Sequence, residues 1–292
     1  MDAAQGKPRD TKGRMQHVLS THLFINHRLN TVWLEKIRQA GVPAVEIFCA
    51  RQHLDYRDRA QITELGHWFR DADADLKLHS LHSPVYSDDV WGRSGPQSII
   101  NITEPLKSKR LAMVDEIKRA IEIAETIPFR YLIQHLGAYG DEYDERRIDA
   151  GFSSLEEIKL FAHQRGVEVL LENTPNGLSS AERLVNFLAQ THLKLGFCLD
   201  VGHAHMHEGI PAAFELFKDR IRATHLHDND GKEDQHLFPF FSECGTIDWK
   251  QTMELLRSRE QQYPLLLELR EAPEHTQPFE TVQKIFEKLE AL

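Results

Sequence analysis

Short apolar runs of six to eight residues alternate with longer amphipathic stretches along almost the whole chain. The runs read as strands at His17–Phe24, Ala44–Cys49, Lys77–His82, Tyr131–Gly137, Glu168–Asn173, Lys194–Asp200, Arg222–Asp228 and Pro264–Arg270. Between them, helical patterns cover Thr31–Ala40, Lys107–Thr126, Leu155–Arg165, Ala181–Gln190, Trp249–Arg259 and Gln277–Leu289. Within the second of these, Leu111, Val114, Ile117, Ile121 and Ala124 keep the three-and-four spacing of one buried helical face. Eight strands, each followed by helix-like sequence, predict parallel β/α units whose strands are buried on both sides. In fewer than 300 residues that pattern points to the α/β class and to a closed (β/α)8 TIM barrel, a single domain over residues 17–292. A doubly wound open sheet would also alternate, but no strand runs into a G-x-G-x-x-G turn. Gly137-Ala138-Tyr139-Gly140 is only a strand-end loop. Residues 1–16 are polar, lack the apolar stretch of a signal peptide, and read as a flexible arm. No apolar run approaches the length of a membrane span.

Composition adds little to the fold and something to the chemistry. Of 292 residues, 41% are hydrophobic and 27% charged, an ordinary globular balance, and the formal net charge is −10. That sign argues weakly against a nucleic-acid partner held mainly through phosphates. Cys49, Cys198 and Cys244 show no C-x-x-C spacing, so they read as reduced, buried thiols of a cytoplasmic protein. Seventeen histidines are the feature that needs an explanation.

Active sites of such barrels gather at the carboxyl ends of the strands. Read in order, those ends are His79-Ser80-Leu81-His82, Gln134-His135, Leu171-Glu172-Asn173, Leu199-Asp200-Val201-Gly202-His203, His225-Leu226-His227-Asp228-Asn229 with Asp234-Gln235-His236, and Leu267-Glu268-Leu269-Arg270. A single carboxylate or imidazole there has a structural explanation as a hydrogen-bonded core group. Six consecutive strands are a different matter, because carboxylates converging on one mouth repel unless a cation neutralises them. A mixture of carboxylate and imidazole suits zinc, manganese, iron or cobalt, whereas calcium takes oxygen ligands. His53, His67, His163, His192 and His275 read as surface or packing residues, and His205 and His207 as helix-entry residues. Trp249 reads as a packing anchor at a helix start, and Asp141–Arg147 as a solvated loop or helix face.

The set Leu-Glu-Asn, Leu-Asp-x-Gly-His, His-x-His-Asp-Asn followed by Asp-x-His, and a terminal Leu-Glu resembles the xylose isomerase-like TIM-barrel superfamily. That superfamily includes sugar phosphate isomerases, epimerases and the endonuclease IV repair enzymes. In the isomerase branch the resemblance implies Glu172, Asp200, His225 and Glu268 as metal ligands, with Glu172 and Glu268 also catalytic in proton transfer. It also implies a sugar or polyol substrate contacted by Glu46, His203 and Arg270. In the endonuclease IV branch His82, His135, His203, Asp234 and His236 would join them to hold a three-metal cluster that cleaves abasic DNA. The expectation is a zinc, manganese or cobalt ion, one per chain with up to three as the alternative. A small-molecule substrate is expected, with no membrane partner and scope for homo-oligomers. The isomerase branch is preferred because no run of Lys or Arg borders the strand ends. The loop after the third strand, Pro84–Arg93, offers wedge-like aromatics but also two acids.

Overall fold

A computed structural model describes residues 15–71, 75–259 and 263–292. Eight parallel strands form the barrel: β1 His17–Ser20, β2 Ala44–Phe48, β3 Lys77–His82, β4 Tyr131–His135, β5 Glu168–Glu172, β6 Gly196–Asp200, β7 Ile221–His225 and β8 Leu265–Leu267. They pair in chain order from β1 to β7, and β8 pairs with β1. The ring closes between β7 and β8 by a parallel bridge at Leu226 and Leu267, where Leu226 N donates to Leu266 O at 2.8 Å. Helices α1 Thr31–Gln39, α2 Arg59–Asp71, α3 Lys107–Ile121, α4 Glu145–His163 and α5 Ala181–Ala189 surround one side. Helices α6 Val201–Met206, α7 Ile210–Phe217, α8 Trp249–Arg257 and α9 Pro278–Ala291 follow. The described residues thus form a single-domain (β/α)8 barrel.

Local chemistry sets the boundaries. Asn30, Asp144, Ser180, Asp200 and Asp248 each accept a backbone N–H at a helix start, supplying the donors' missing partners. The Asp144 cap starts α4 ten residues before the expected Leu155, so Asp141–Arg147 is a loop passing into a first helical turn. The first strand stops at Ser20, whose Oγ caps a 3-10 turn over Thr21–Phe24. Helices α2, α6 and α7 are additions to the helices named from the sequence. Leu111 corrects the expected buried face of α3: it is 41% exposed, and burial begins one turn later at Val114. Cys49 and Cys198 are buried free thiols, but Cys244 is exposed on a polar loop, against expectation. Trp249 is a buried anchor, donating Nε1 to Asp228 Oδ2 at 2.7 Å. Of the expected arm, residues 1–14 lie outside the described residues; Met15 is buried, and Gln16 O accepts from Leu265 N.

The barrel interior explains where the polar residues fall. Side chains alternate along a strand, so every second residue points inward. The inner apolar layer contains Ile133, Leu170, Cys198, Ala223 and Leu266. Two residues further along each strand's direction stand His135, Glu172, Asp200, His225 and Glu268. The same pleat that buries a leucine on one level therefore delivers a ligand-type side chain on the next.

Candidate metal centre

Among the described residues, three abutting groups of donor atoms occupy the carboxyl end of the barrel, each with atoms within 4.8 Å of one another. The first is His82, His135 and Glu172; the second is Glu172, Asp200, His225 and Glu268; the third is His203, His227, Asp234 and His236. Glu172 belongs to two of them. In the first, Glu172 Oε2 lies 3.0 Å from His135 Nε2 and 3.4 Å from His82 Nε2, and the two nitrogens are 3.1 Å apart. In the second, His225 Nδ1 lies 3.2 Å from Glu172, 3.4 Å from Glu268 and 3.7 Å from Asp200. In the third, Asp234 is 3.3 Å from both His203 Nε2 and His236 Nε2. Ligands bound tetrahedrally at about 2.0 Å stand about 3.3 Å apart, which is the spacing of these sets.

Hydrogen bonding on the far side of each ring supports the same assignment. His82 Nδ1 donates to Ser83 O, His203 Nδ1 to Asn173 O and His236 Nδ1 to Glu268 O, each at 2.9 Å. With Nδ1 carrying the proton of a neutral ring, each Nε2 turns a lone pair toward carboxylate oxygens. That arrangement repels unless a cation, or an added proton, lies between them. His225 is oriented the other way round: Nε2 meets Glu46 at 3.2 Å, and Ser80 Oγ donates to Glu46 at 2.7 Å. An imidazole held by a carboxylate behind it is the usual support for a metal-binding histidine. Glu268 Oε1 and Asp234 Oδ1 are buried with no hydrogen-bond partner among the described residues, so acceptors outnumber donors. The donor set therefore fits a divalent cation.

Electrostatics reflect the same imbalance. Burial pushes the Glu172 carboxyl up, but His225 and His135 outweigh it and hold the group well below the usual carboxylate range. Burial likewise opposes charge on Asp234, yet His236 and His203 hold it low. Burial disfavours charge on His236, while Asp234 overcomes it and raises the ring to about 9. His203 and His225 are raised well above the ordinary histidine value against the same burial cost, His203 chiefly by Asp200 and His225 by Cys198 and its carboxylate neighbours. Protons on these rings and a shared divalent cation are alternative ways of neutralising one cluster.

All nine residues expected to serve as ligands are brought together here. Glu46, expected to touch substrate, instead lies fully buried behind His225 and does not line the cavity. Arg270 stands exposed at the rim and is also absent from the lining. His203 does line it. Sequence reasoning passed over His227, which is fully buried with Nε2 3.2 Å from Asp200 and Nδ1 unpartnered. The tautomer that leaves no buried N–H unpaired donates from Nε2 to Asp200, so His227 positions that carboxylate. It is seated against Gly202, where a Cβ would lie 2.1 Å from the ring. Its alternation with His225 across Leu226 was the available signal. His22 was also passed over.

Above the donor groups lies a cavity of about 170 Å³, walled by Glu172, Glu268, His82, His135, Tyr86 and Tyr139 among others, with no Lys or Arg among the described lining residues. The Pro84–Arg93 loop turns its aromatics inward: Trp91 packs on Phe48 at 4.9 Å and Tyr86 on Trp91 at 5.5 Å.

Comparison with known proteins gives a consistent picture. The family model described as xylose isomerase-like TIM barrel matches residues 34–290. A solved structure described as a D-tagatose 3-epimerase-like protein has a TM-score of 0.74 at 24% identity, over 94% of this chain and 97% of that one. The IolI protein with a bound zinc atom gives 0.71 at 16% identity, over 95% and 98%. These two show likeness of fold. In sequence, the chain is 30% identical over 163 residues to a probable endonuclease 4 of Natronomonas pharaonis, covering 51% of this chain and 54% of that protein.

Proposed function

Because the chain belongs to the xylose isomerase-like TIM-barrel family, we propose that it is a divalent-metal-dependent isomerase or epimerase of a small sugar, sugar phosphate or polyol. The observation that carries this reading is the cavity itself. It is small, bounded by two buried glutamates, lined by Phe48 and Tyr86, and free of cationic side chains among the described lining residues. Binding a DNA backbone calls for Lys or Arg at phosphates and for loops that reach outward. A small hydroxylated substrate calls for neither.

Glu172, Asp200, His225 and Glu268 would hold the principal metal, and His82, His135, His203, Asp234 and His236 supply donors for up to two more. When bound, zinc, manganese or cobalt would polarise a substrate carbonyl as a Lewis acid. Glu268 Oε1, buried and without a partner, is suited to take the proton from the carbon beside the carbonyl. Glu172, three strands away around the barrel, is suited to return one to the neighbouring atom or the opposite face. His203 holds the substrate from the wall, and Arg270 at the rim can reach a charged tail. Three unpaired cysteines support a reducing, cytoplasmic setting. No described helix is long and apolar enough to cross a membrane.

A second reading, an endonuclease IV-like phosphodiesterase, is favoured by one observation: three donor groups adjoin, two of them sharing Glu172 and the third meeting it through His203, as a multinuclear hydrolase would need. One experiment separates the two. Protein loaded with Mn²⁺, Co²⁺ or Zn²⁺ is assayed on a panel of ketoses, ketose phosphates and inososes, and on an oligonucleotide with one abasic site. Interconversion of a panel member with the DNA left intact supports the proposal; strand cleavage with no sugar converted overturns it.

A further inference from the structure

Four imidazoles at the barrel mouth are held in one manner, with Nδ1 donating to a main-chain carbonyl. In His82, His203 and His236 the opposite nitrogen faces a carboxylate of a donor group. His22, on the 3-10 turn after β1, is the exception. Its Nδ1 donates to Leu269 O at 3.0 Å, and the residue is only 8% exposed. Its only side-chain hydrogen bond among the described residues is through Nδ1, which leaves Nε2 open to the cavity, and His22 belongs to none of the three donor groups. The ring lines the cavity. Around it stand Phe48 at 5.3 Å, Trp91 at 6.3 Å and His236 at 4.6 Å between ring centroids. No neighbouring side chain answers the acceptor, yet the ring is fixed so that it points away from the backbone that holds it.

We propose that His22 Nε2 accepts a hydrogen bond from a substrate hydroxyl on the His236 side of the cavity, which makes His22 a specificity-determining contact. The inference rests on the small hydroxylated substrate proposed above and adds a position to it. A hydroxyl there is matched, whereas a deoxy analogue leaves a nearly buried acceptor unanswered. Phe48, which lines the cavity with Trp91 packed behind it, offers an apolar face to the substrate's C–H groups beside that hydroxyl. His22 thus distinguishes substrates through a ring that belongs to none of the donor groups, beside the His236 edge of one of them.

Two variants separate this role from a structural one. In His22→Asn the terminal amide stands where Nδ1 stood, so the bond to the Leu269 carbonyl is kept and the cavity-facing acceptor is lost. In His22→Gln the amide oxygen reaches the place of Nε2. Both are purified as the Mn²⁺-loaded full chain, checked for cooperative thermal unfolding and metal content, and compared with the parent on whichever panel ketose it converts. The expected result is a KM raised roughly tenfold in His22→Asn, with kcat changed less, metal content unchanged, and KM largely restored in His22→Gln. A His22→Asn variant equal to the parent overturns the proposal and leaves the isomerase reading standing. Rescue by Asn but not Gln, or loss of metal in His22→Asn, overturns it in the same way. If the parent neither converts nor binds any sugar of the panel, both fall together.

Discussion

At the amino-terminal end of the barrel, half-buried and exposed polar groups are answered from within the chain. Arg220 donates Nε to Leu195 O at 3.1 Å, Arg222 donates to Ile221 O at 2.9 Å, and Arg130 stacks on Tyr131 at 4.9 Å. The carboxyl-terminal end is built on the same eight strands, yet its acceptors face one another. Glu172, Glu268 and Asp234 meet nitrogens of His82, His203, His225 and His236, rings that already spend a proton on a carbonyl or on Glu46. Both ends are polar, so polarity does not distinguish them; the balance of donors and acceptors does. The foot is complete as a folded protein, whereas the mouth is complete only with protons or a cation added.

The largest break in that contrast should come from Glu172→Gln. The residue joins two donor groups and serves as a proposed proton carrier, so turnover should fall by about a thousandfold or more. Elemental analysis should show less bound metal in the same preparation. Removing metal with a chelator comes next. At free metal a hundredfold above its dissociation constant, binding contributes about 2.7 kcal/mol to stability, so stripping should lower the melting temperature by several degrees. The effect depends on pH with a definite sign. A proton on His236, raised to about 9, stabilises the metal-free fold fully below the unfolded value of about 6.5. That contribution disappears as pH rises through about 9. Glu172 and Asp234, held low, contribute above the unfolded carboxylate range and lose it in acid. Metal affinity rises as the rings lose protons, so the gap between loaded and stripped melting temperatures should widen from pH 6.5 to 9.

Smaller effects sharpen the comparison. Glu46→Gln leaves every donor atom in place but weakens the support of His225, and should cost roughly 10- to 100-fold in metal affinity, read by competition with a chelating dye. Arg130→Ala at the foot should leave turnover within about twofold and cost about 0.5–1 kcal/mol by thermal unfolding, the worth of its stacking on Tyr131. A large loss of activity there would mean the two ends are not independent.

How legible this was in the sequence depends on the strength of each local signal. The bounds of β3 agree with its apolar run because Lys77 and His82 flank it sharply. The start of α4 was obscured because its opening turn, Glu-Arg-Arg, is polar and only the Asp144 cap marks it. Helix α2 carries Ile62, Leu65, Trp68 and Phe69 at helical spacing against the core, a stripe that was present in the sequence and passed over. His82, His135, Glu172, Asp200, His225 and Glu268 were legible because each ends or directly follows an apolar strand, where a charge has no other reason to be; His203, Asp234 and His236, on a helix and a loop, were found through the motifs they share with those strand ends. His22 was not, because a 3-10 turn interrupts the period-two pattern just before it. Glu46 was seen but assigned to substrate; only the three-dimensional fold reveals that His225 stands between it and the cavity.

The central claim, that the barrel mouth is a divalent metal centre, is tested most directly by elemental analysis of the full-length protein purified without chelator. The account predicts between one and three transition-metal ions per chain, removed by chelation and restored by Mn²⁺, Co²⁺ or Zn²⁺ with recovery of the melting temperature. A protein that carries no such metal, and whose melting temperature is unmoved by adding any of the three, would contradict it.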